Sequence, residues 1–158
     1  MISTIWLDRV FGFEGGYSND PKDPGGETKY GISKRAYPKE DIAALTRERA
    51  AEIYAKDYAK PFLQLHPALG YQMFDFSINV GVNKATKILQ LILDVTVDGK
   101  LGPKTLAAIV DARLVAERLL AERLEYYTWL RGWERYGKGW ARRVAENLRY
   151  LSVDFSLI

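Results

Sequence analysis

Residues Pro67–Val80 read PALGYQMFDFSINV, and this run decides the fold. Leu69, Met73, Phe74, Phe76, Ile78 and Val80 fall on more than one face of a helix. A helix that is apolar nearly all round is a buried one, so other helices must surround it. Pro67 suits a first helical turn, where its missing N–H costs nothing. His66, just before it, reads as a cap or surface residue. No apolar run in the chain approaches the length of about 18 residues that a membrane span needs.

Outward from this run, most of the chain has helical periodicity. Ile2, Ile5, Trp6, Val10 and Phe13 form a stripe flanked by Leu7 and Phe11, and Gly15-Gly16 is a stop signal after it. Thr46 is placed to cap a helix carrying Ala50, Ile53, Tyr54 and Tyr58, which Pro61 should end. Residues 85–93 form another helix. Asp98-Gly-Lys-Leu-Gly-Pro103 is a turn that opens a helix with Pro in its first position. Two long amphipathic helices follow Leu114, with a break expected near Gly137-Lys-Gly139. Strand signals are confined to Val95-Thr-Val97 and to Thr28–Ile32. The loop Tyr17–Gly31 holds two Pro and three Gly, which makes it constrained. The expected fold class is mainly α, with a small loop or hairpin after the first helix.

The chain has 158 residues, the length of one domain, and its 47% hydrophobic content can fill a core. It has no cysteine and one histidine. Disulfide scaffolds, thiolate zinc sites and multi-histidine metal centres are therefore excluded. Net charge is +3, but Arg131–Arg149 holds six basic residues against two acidic ones. A solvated face of an ordinary helix is the first expectation for that local excess, and an anionic partner (a wall, a membrane surface or nucleic acid) the second. Trp129, Trp133 and Trp140 interleave with it; core packing is the first expectation for them, wall contact the second and nucleic acid the last. The first ten residues lack a basic, apolar secretory pattern, so synthesis in the cytoplasm and later release to the site of action are expected.

Glu14 is the residue best placed for chemistry. It follows Phe13 and lies one helical turn from Val10 and Phe11, so its carboxyl should be partly desolvated. Desolvation disfavours the charged form, as a general acid near neutral pH requires. The two glycines after it leave room for a bulky substrate. Asp23 and Thr28 lie in the following loop. Glycosidic bonds are typically cleaved by two carboxyls, roughly 6.5–9.5 Å apart for inversion or about 5–5.5 Å for retention. Spacing alone leaves that choice open. It also leaves open whether Asp20 or Asp23 is the second carboxyl, or whether both are turn formers.

Glu14–Ile32, EGGYSNDPKDPGGETKYGI, closely resembles the signature of glycoside hydrolase family 108. The resemblance continues through Ile53–Tyr58, Phe74–Gly81 and Asp98–Thr105, in the family's order. These are bacterial and phage N-acetylmuramidases with a lysozyme-like domain followed by a segment regarded as peptidoglycan-binding. The resemblance implies a lysozyme-like helical domain over residues 1–158, catalytic in 1–80 and wall-binding in 81–158. It puts the catalytic acid on Glu14 and implies no cofactor or metal. Phage-type lysozymes space their Glu, Asp and Thr by eight and five intervening residues. Here the intervals are eight, between Glu14 and Asp23, and four, between Asp23 and Thr28. Where the family often carries Trp after the Tyr58 motif, this chain has Ala59.

Several further residues are candidates for holding a saccharide. Tyr17, Tyr30 and Tyr58 are of the type that stacks on sugar faces, although core packing is the default for tyrosines. Asp20 is a binding candidate if Asp23 is catalytic. Asp75 and Asn79 share a helix face, four residues apart. Polar groups on so apolar a helix need partners, and two readings stand: a saccharide cleft, or a buried pair tying the helix to the catalytic loop. The expected function is peptidoglycan cleavage at the β-1,4 bond in a phage lysis setting, by a monomer. The alternatives are a lytic transglycosylase and a non-catalytic wall-binding or secretion-assisting protein.

Overall fold

The computed structural model describes residues 2–13, 16–19 and 26–156. By backbone contacts the chain divides into two compact units, Met1–Lys60 and Pro61–Ile158.

In the first unit, α1 spans Thr4–Phe13 and buries Trp6 and Val10. Ile5, expected in the buried stripe, is exposed instead. It sits about 100° round the helix from Trp6, outside the narrower face that Trp6 and Val10 define. The hairpin expected near Thr28–Ile32 is present. Strand β1 (Thr28–Lys29) pairs antiparallel with β2 (Ile32–Ser33), with Thr28 opposite Ser33 and Lys29 opposite Ile32. The two linking residues have positive φ, 52° at Tyr30 and 75° at Gly31. That is the hand of turn whose twist suits a two-residue hairpin. Gly31 adopts it freely, whereas Tyr30 is held there by the Tyr54 hydroxyl, which donates to its carbonyl at 2.8 Å. Ser18 adds a bridge to Thr28 through two backbone hydrogen bonds of 2.8 Å.

Helix α2 spans Arg47–Tyr54, and the Thr46 side chain accepts from the Arg49 amide at 3.1 Å, the cap the sequence predicts. The chain then widens into a π turn at Ala55–Ala59 and tightens into a 3₁₀ turn at Lys60–Gln64. Pro61 therefore lies inside a 3₁₀ turn rather than ending the helix. Its ring and missing N–H break the α pattern, and the change of helix type carries the chain past it.

The second unit is built around α3 (Pro67–Val80), in which every side chain from Ala68 to Ser77 is buried. His66 caps it, Nδ1 accepting from the Ala68 amide at 3.3 Å, and its ring stacks on Phe155. The unit continues with α4 (Val82–Ile92), α5 (Pro103–Ala107), α6 (Ala112–Thr128) and α7 (Trp133–Asp154). α3 packs on α4, α6 and α7. The fold is mainly α, as the periodicity predicts.

Two local expectations are corrected. The break between the last two helices falls at Trp129–Gly132, and Gly137 and Gly139 lie within α7. Gly137 is there because the Trp133 indole crosses it: a Cβ would stand 2.6 Å from the ring. Val95–Val97 is irregular chain after a turn at Leu93–Asp94, not a strand. Asp94 takes φ 53° and the Val95 amide returns to the Gln90 carbonyl at 3.1 Å. The buried Gln90 then organises the next turn: Nε2 donates to Asp98 Oδ1 at 2.7 Å and Oε1 accepts from the Gly99 amide at 2.8 Å.

Candidate active site

Glu14, Asp20 and Asp23 lie outside the described residues. What the structure describes in the first unit is the elements that precede and follow them in sequence. Phe11, three positions before Glu14, meets Tyr30 edge-on at 5.6 Å and Tyr54 at 6.0 Å. Tyr54 in turn lies 5.7 Å from Tyr58. The end of α1, the hairpin turn and α2 are thus joined through one aromatic chain. Tyr30 and Tyr58 belong to it, half-buried rather than fully open.

Thr28 is half-buried in β1 and donates its hydroxyl proton to the Gly26 carbonyl at 3.1 Å. A hydroxyl committed in this way meets any further partner as an acceptor. Tyr17 is half exposed and donates to Glu27 Oε1 at 2.7 Å. The Glu27 carboxylate, which accepts that hydrogen bond, pushes the Tyr17 phenol up. The sequence reading passed over Glu27, although it lies inside the signature one residue before Thr28. Its pairing with Tyr17 depends on the Ser18–Thr28 bridge, which no periodicity reveals. Tyr37 donates to Asp57 at 3.0 Å, and burial followed by its contact with Tyr58 pushes its phenol up.

Asp75 belongs to the second unit and touches no saccharide cleft, because its side chain has no solvent exposure. Its carboxylate accepts from Arg123 at 2.6 Å, Arg143 at 2.8 Å and Asn147 at 2.7 Å. Burial pushes this carboxyl up, but the two guanidinium groups outweigh it and hold it well below the usual carboxylate range. Among the described residues its partners come from α6 and α7, so the Asp75 carboxylate is a buried polar group rather than part of a saccharide cleft. Asn79 stands exposed near the end of α3, its Oδ1 accepting from Arg123 at 2.7 Å and Tyr127 at 2.8 Å. Arg143, counted from sequence in the basic stretch, is turned inward. Among the described residues no group of His, Asp and Glu is arranged to hold a metal ion.

A family model described as glycosyl hydrolase 108 matches residues 7–81, and one described as a predicted peptidoglycan domain matches residues 84–145. The solved structure of Brucella abortus SagA is similar, with 34% sequence identity, a TM-score of 0.83, and coverage of 95% of this chain and 91% of that one. The chain belongs to glycosyl hydrolase family 108. No curated protein matches it.

Membership makes it a glycoside hydrolase with peptidoglycan as its partner. The junction of the two matched segments, residues 81–84, coincides with the start of α4, where Gly81 has φ 83°. The structural division lies earlier. Helix α3 ends the hydrolase-matched segment, yet it is the core of the second unit.

Proposed function

We propose that the protein is an N-acetylmuramidase that cleaves the β-1,4 bond after N-acetylmuramic acid in peptidoglycan, with Glu14 as general acid. The observation that carries this reading is the run Glu14-Gly-Gly-Tyr17 inside the segment matched to the glycosyl hydrolase model. The aromatic chain of Phe11, Tyr30, Tyr54 and Tyr58 supports it, because it steadies the end of α1. In this mechanism Glu14 protonates the glycosidic oxygen as the bond breaks, and an oxocarbenium-like centre develops on the muramic acid ring. Asp23, with Asp20 as its alternative, stabilises that centre or activates a water. Thr28 accepts a hydrogen bond from that water while its own hydroxyl hydrogen points to the Gly26 carbonyl. Peptidoglycan as substrate puts the site of action at the cell wall, and we read the setting as wall lysis after release from the cytoplasm.

The test is turbidity clearing of permeabilised Gram-negative cells. Glu14→Gln should slow clearing about 10²–10⁴-fold, the usual size of a general-acid contribution. Equal clearing by the two proteins removes Glu14 from the mechanism. Mass spectrometry of the digest should show reducing muramic acid ends; anhydro ends would mean that the sugar's own hydroxyl replaced water.

A further inference from the structure

Trp129 is the most exposed aromatic residue among those described, at 80%. Trp133 and Trp140 resemble it in sequence context but pack together, with ring centroids 6.5 Å apart, and Trp140 also packs on Tyr127. Trp129 instead stands at the end of α6, at one side of a groove of about 320 Å³ between α4 and α6. The opposite lip is Leu91, itself 65% exposed, and the floor is formed by Ile88, Ile92 and Tyr126. Single exposed apolar residues are ordinary, whereas here two of them line one concave surface.

The rim is charged with both signs. Arg118, Glu122, Glu125 and Trp129 recur along α6 at spacings that put them on one face. Arg118 and Glu122 are four apart, yet no ion pair joins them, and none of the three charges has an ion-pair partner among the described residues. At the α4 side, Lys84 donates to the Tyr126 hydroxyl at 2.8 Å and lies 4.4 Å over its ring. An aromatic platform, an apolar floor and unpaired charges of opposite sign suit a ligand with a sugar face and a zwitterionic tail. A pyranose turns weakly positive C–H groups toward the negative face of an indole. Peptidoglycan stem peptides carry free carboxylates and ammonium groups. A bare glycan would leave the charged rim unused, and an anionic lipid surface would meet two glutamates. All the groove residues fall within residues 84–145, the segment matched to the peptidoglycan domain.

We propose that this groove is a muropeptide-binding site, in which the indole of Trp129 stacks on a sugar ring while Arg118 takes a stem-peptide carboxylate and Glu122 or Glu125 an ammonium group. This rests on the reading of the chain as a peptidoglycan hydrolase. The groove holds the insoluble wall and leaves cleavage to the first unit.

The experiment is co-sedimentation of the full chain with purified sacculi, beside cleavage of a short, peptide-free peptidoglycan oligosaccharide. Trp129→Ala and Arg118→Ala should each weaken sedimentation about tenfold, as loss of a well-used contact does. Trp129→Phe should retain most of it. All three should melt like the wild type and cleave the oligosaccharide at the wild-type rate. Sacculi stripped of their peptides should still lose affinity with Trp129→Ala, but no longer with Arg118→Ala.

Wild-type sedimentation by Trp129→Ala and Arg118→Ala, with oligosaccharide cleavage intact, overturns the groove alone. Loss of cleavage together with binding also overturns it, since the residues would then act through the fold. Wild-type protein that neither sediments nor cleaves overturns both proposals. Sedimentation dependent on Trp129, without any cleavage, retains the groove and rejects the hydrolase.

Discussion

Nη1 of Arg123 lies 2.6 Å from Oδ2 of Asp75, and neither side chain has any exposure to solvent. Arg143 and Asn147 complete the cage around the same carboxylate. Helices α3, α6 and α7 thus converge on one negative charge. Its removal should be severe, because it takes the counter-charge from the buried Arg123 guanidinium and a carboxylate partner from Arg143. Asp75→Ala is expected to destabilise the second unit by about 3–5 kcal/mol. At about 2–4 °C per kcal/mol that is a fall of roughly 10 °C in Tm, readable by circular dichroism. A fall of only a degree or two would mean that the cage contributes little.

The same carboxyl sets an acid limit. Its folded pKa is held below its unfolded one by Arg143 and Arg123, against the upward push of burial. The stability it adds is therefore complete above the ordinary carboxylate value, near pH 4, and fades as pH falls below it. Thermal melts between about pH 5 and pH 2.5 should decline steeply for the wild type and more gently for Asp75→Asn. Parallel curves would assign the acid sensitivity to other groups.

Two glycines in α7 should respond to alanine with opposite signs. At Gly137 the new methyl group meets the Trp133 ring at 2.6 Å, and at Gly139 it meets nothing within 4 Å. Gly139→Ala should gain about 0.5–1 kcal/mol from helix propensity. Gly137→Ala should lose about 1–3 kcal/mol through overpacking. Urea denaturation of the pair measures both. Equal gains would show that the indole moves aside without cost.

A fragment starting at Val82 carries the whole peptidoglycan-matched segment but lacks α3. Its Arg123 and Arg143 would lose Asp75, and α6 and α7 would lose the helix they pack on. Such a fragment is expected to show no cooperative melt, whereas one starting at Pro61 should melt cooperatively. Cooperative unfolding of the shorter fragment would show that α4–α7 form a core by themselves.

Features within a few residues of one another were legible in the sequence. The Thr46 and His66 caps, Pro103 at a helix start, the buried run Pro67–Val80 and the hairpin at Thr28–Ile32 are each determined by neighbours along the chain. Where local signals compete, the tertiary structure decides between them. Gly137 looked like a helix breaker because a glycine that admits an indole and one that ends a helix are the same letter. Val95–Val97 looked like a strand because β-branched residues favour one only when a partner is present to pair with. The candidate acid Glu14 is legible from its helix position and its motif, while the Tyr17–Glu27 pair follows from the Ser18–Thr28 bridge, which no local pattern reveals.

By itself the sequence determined that the protein is mainly helical, which segment is buried at its centre, and which family signature it carries, because periodicity, capping and motif act over short stretches of chain. The tertiary structure alone decided that Asp75 meets partners 48 to 72 residues away, and that Trp129 faces solvent while Trp133 and Trp140 pack. A buried carboxylate must find cations, but only the way the helices come together selects which ones. An indole is equally suited to a core or a ligand, and only its place on the packed helix settles which it meets.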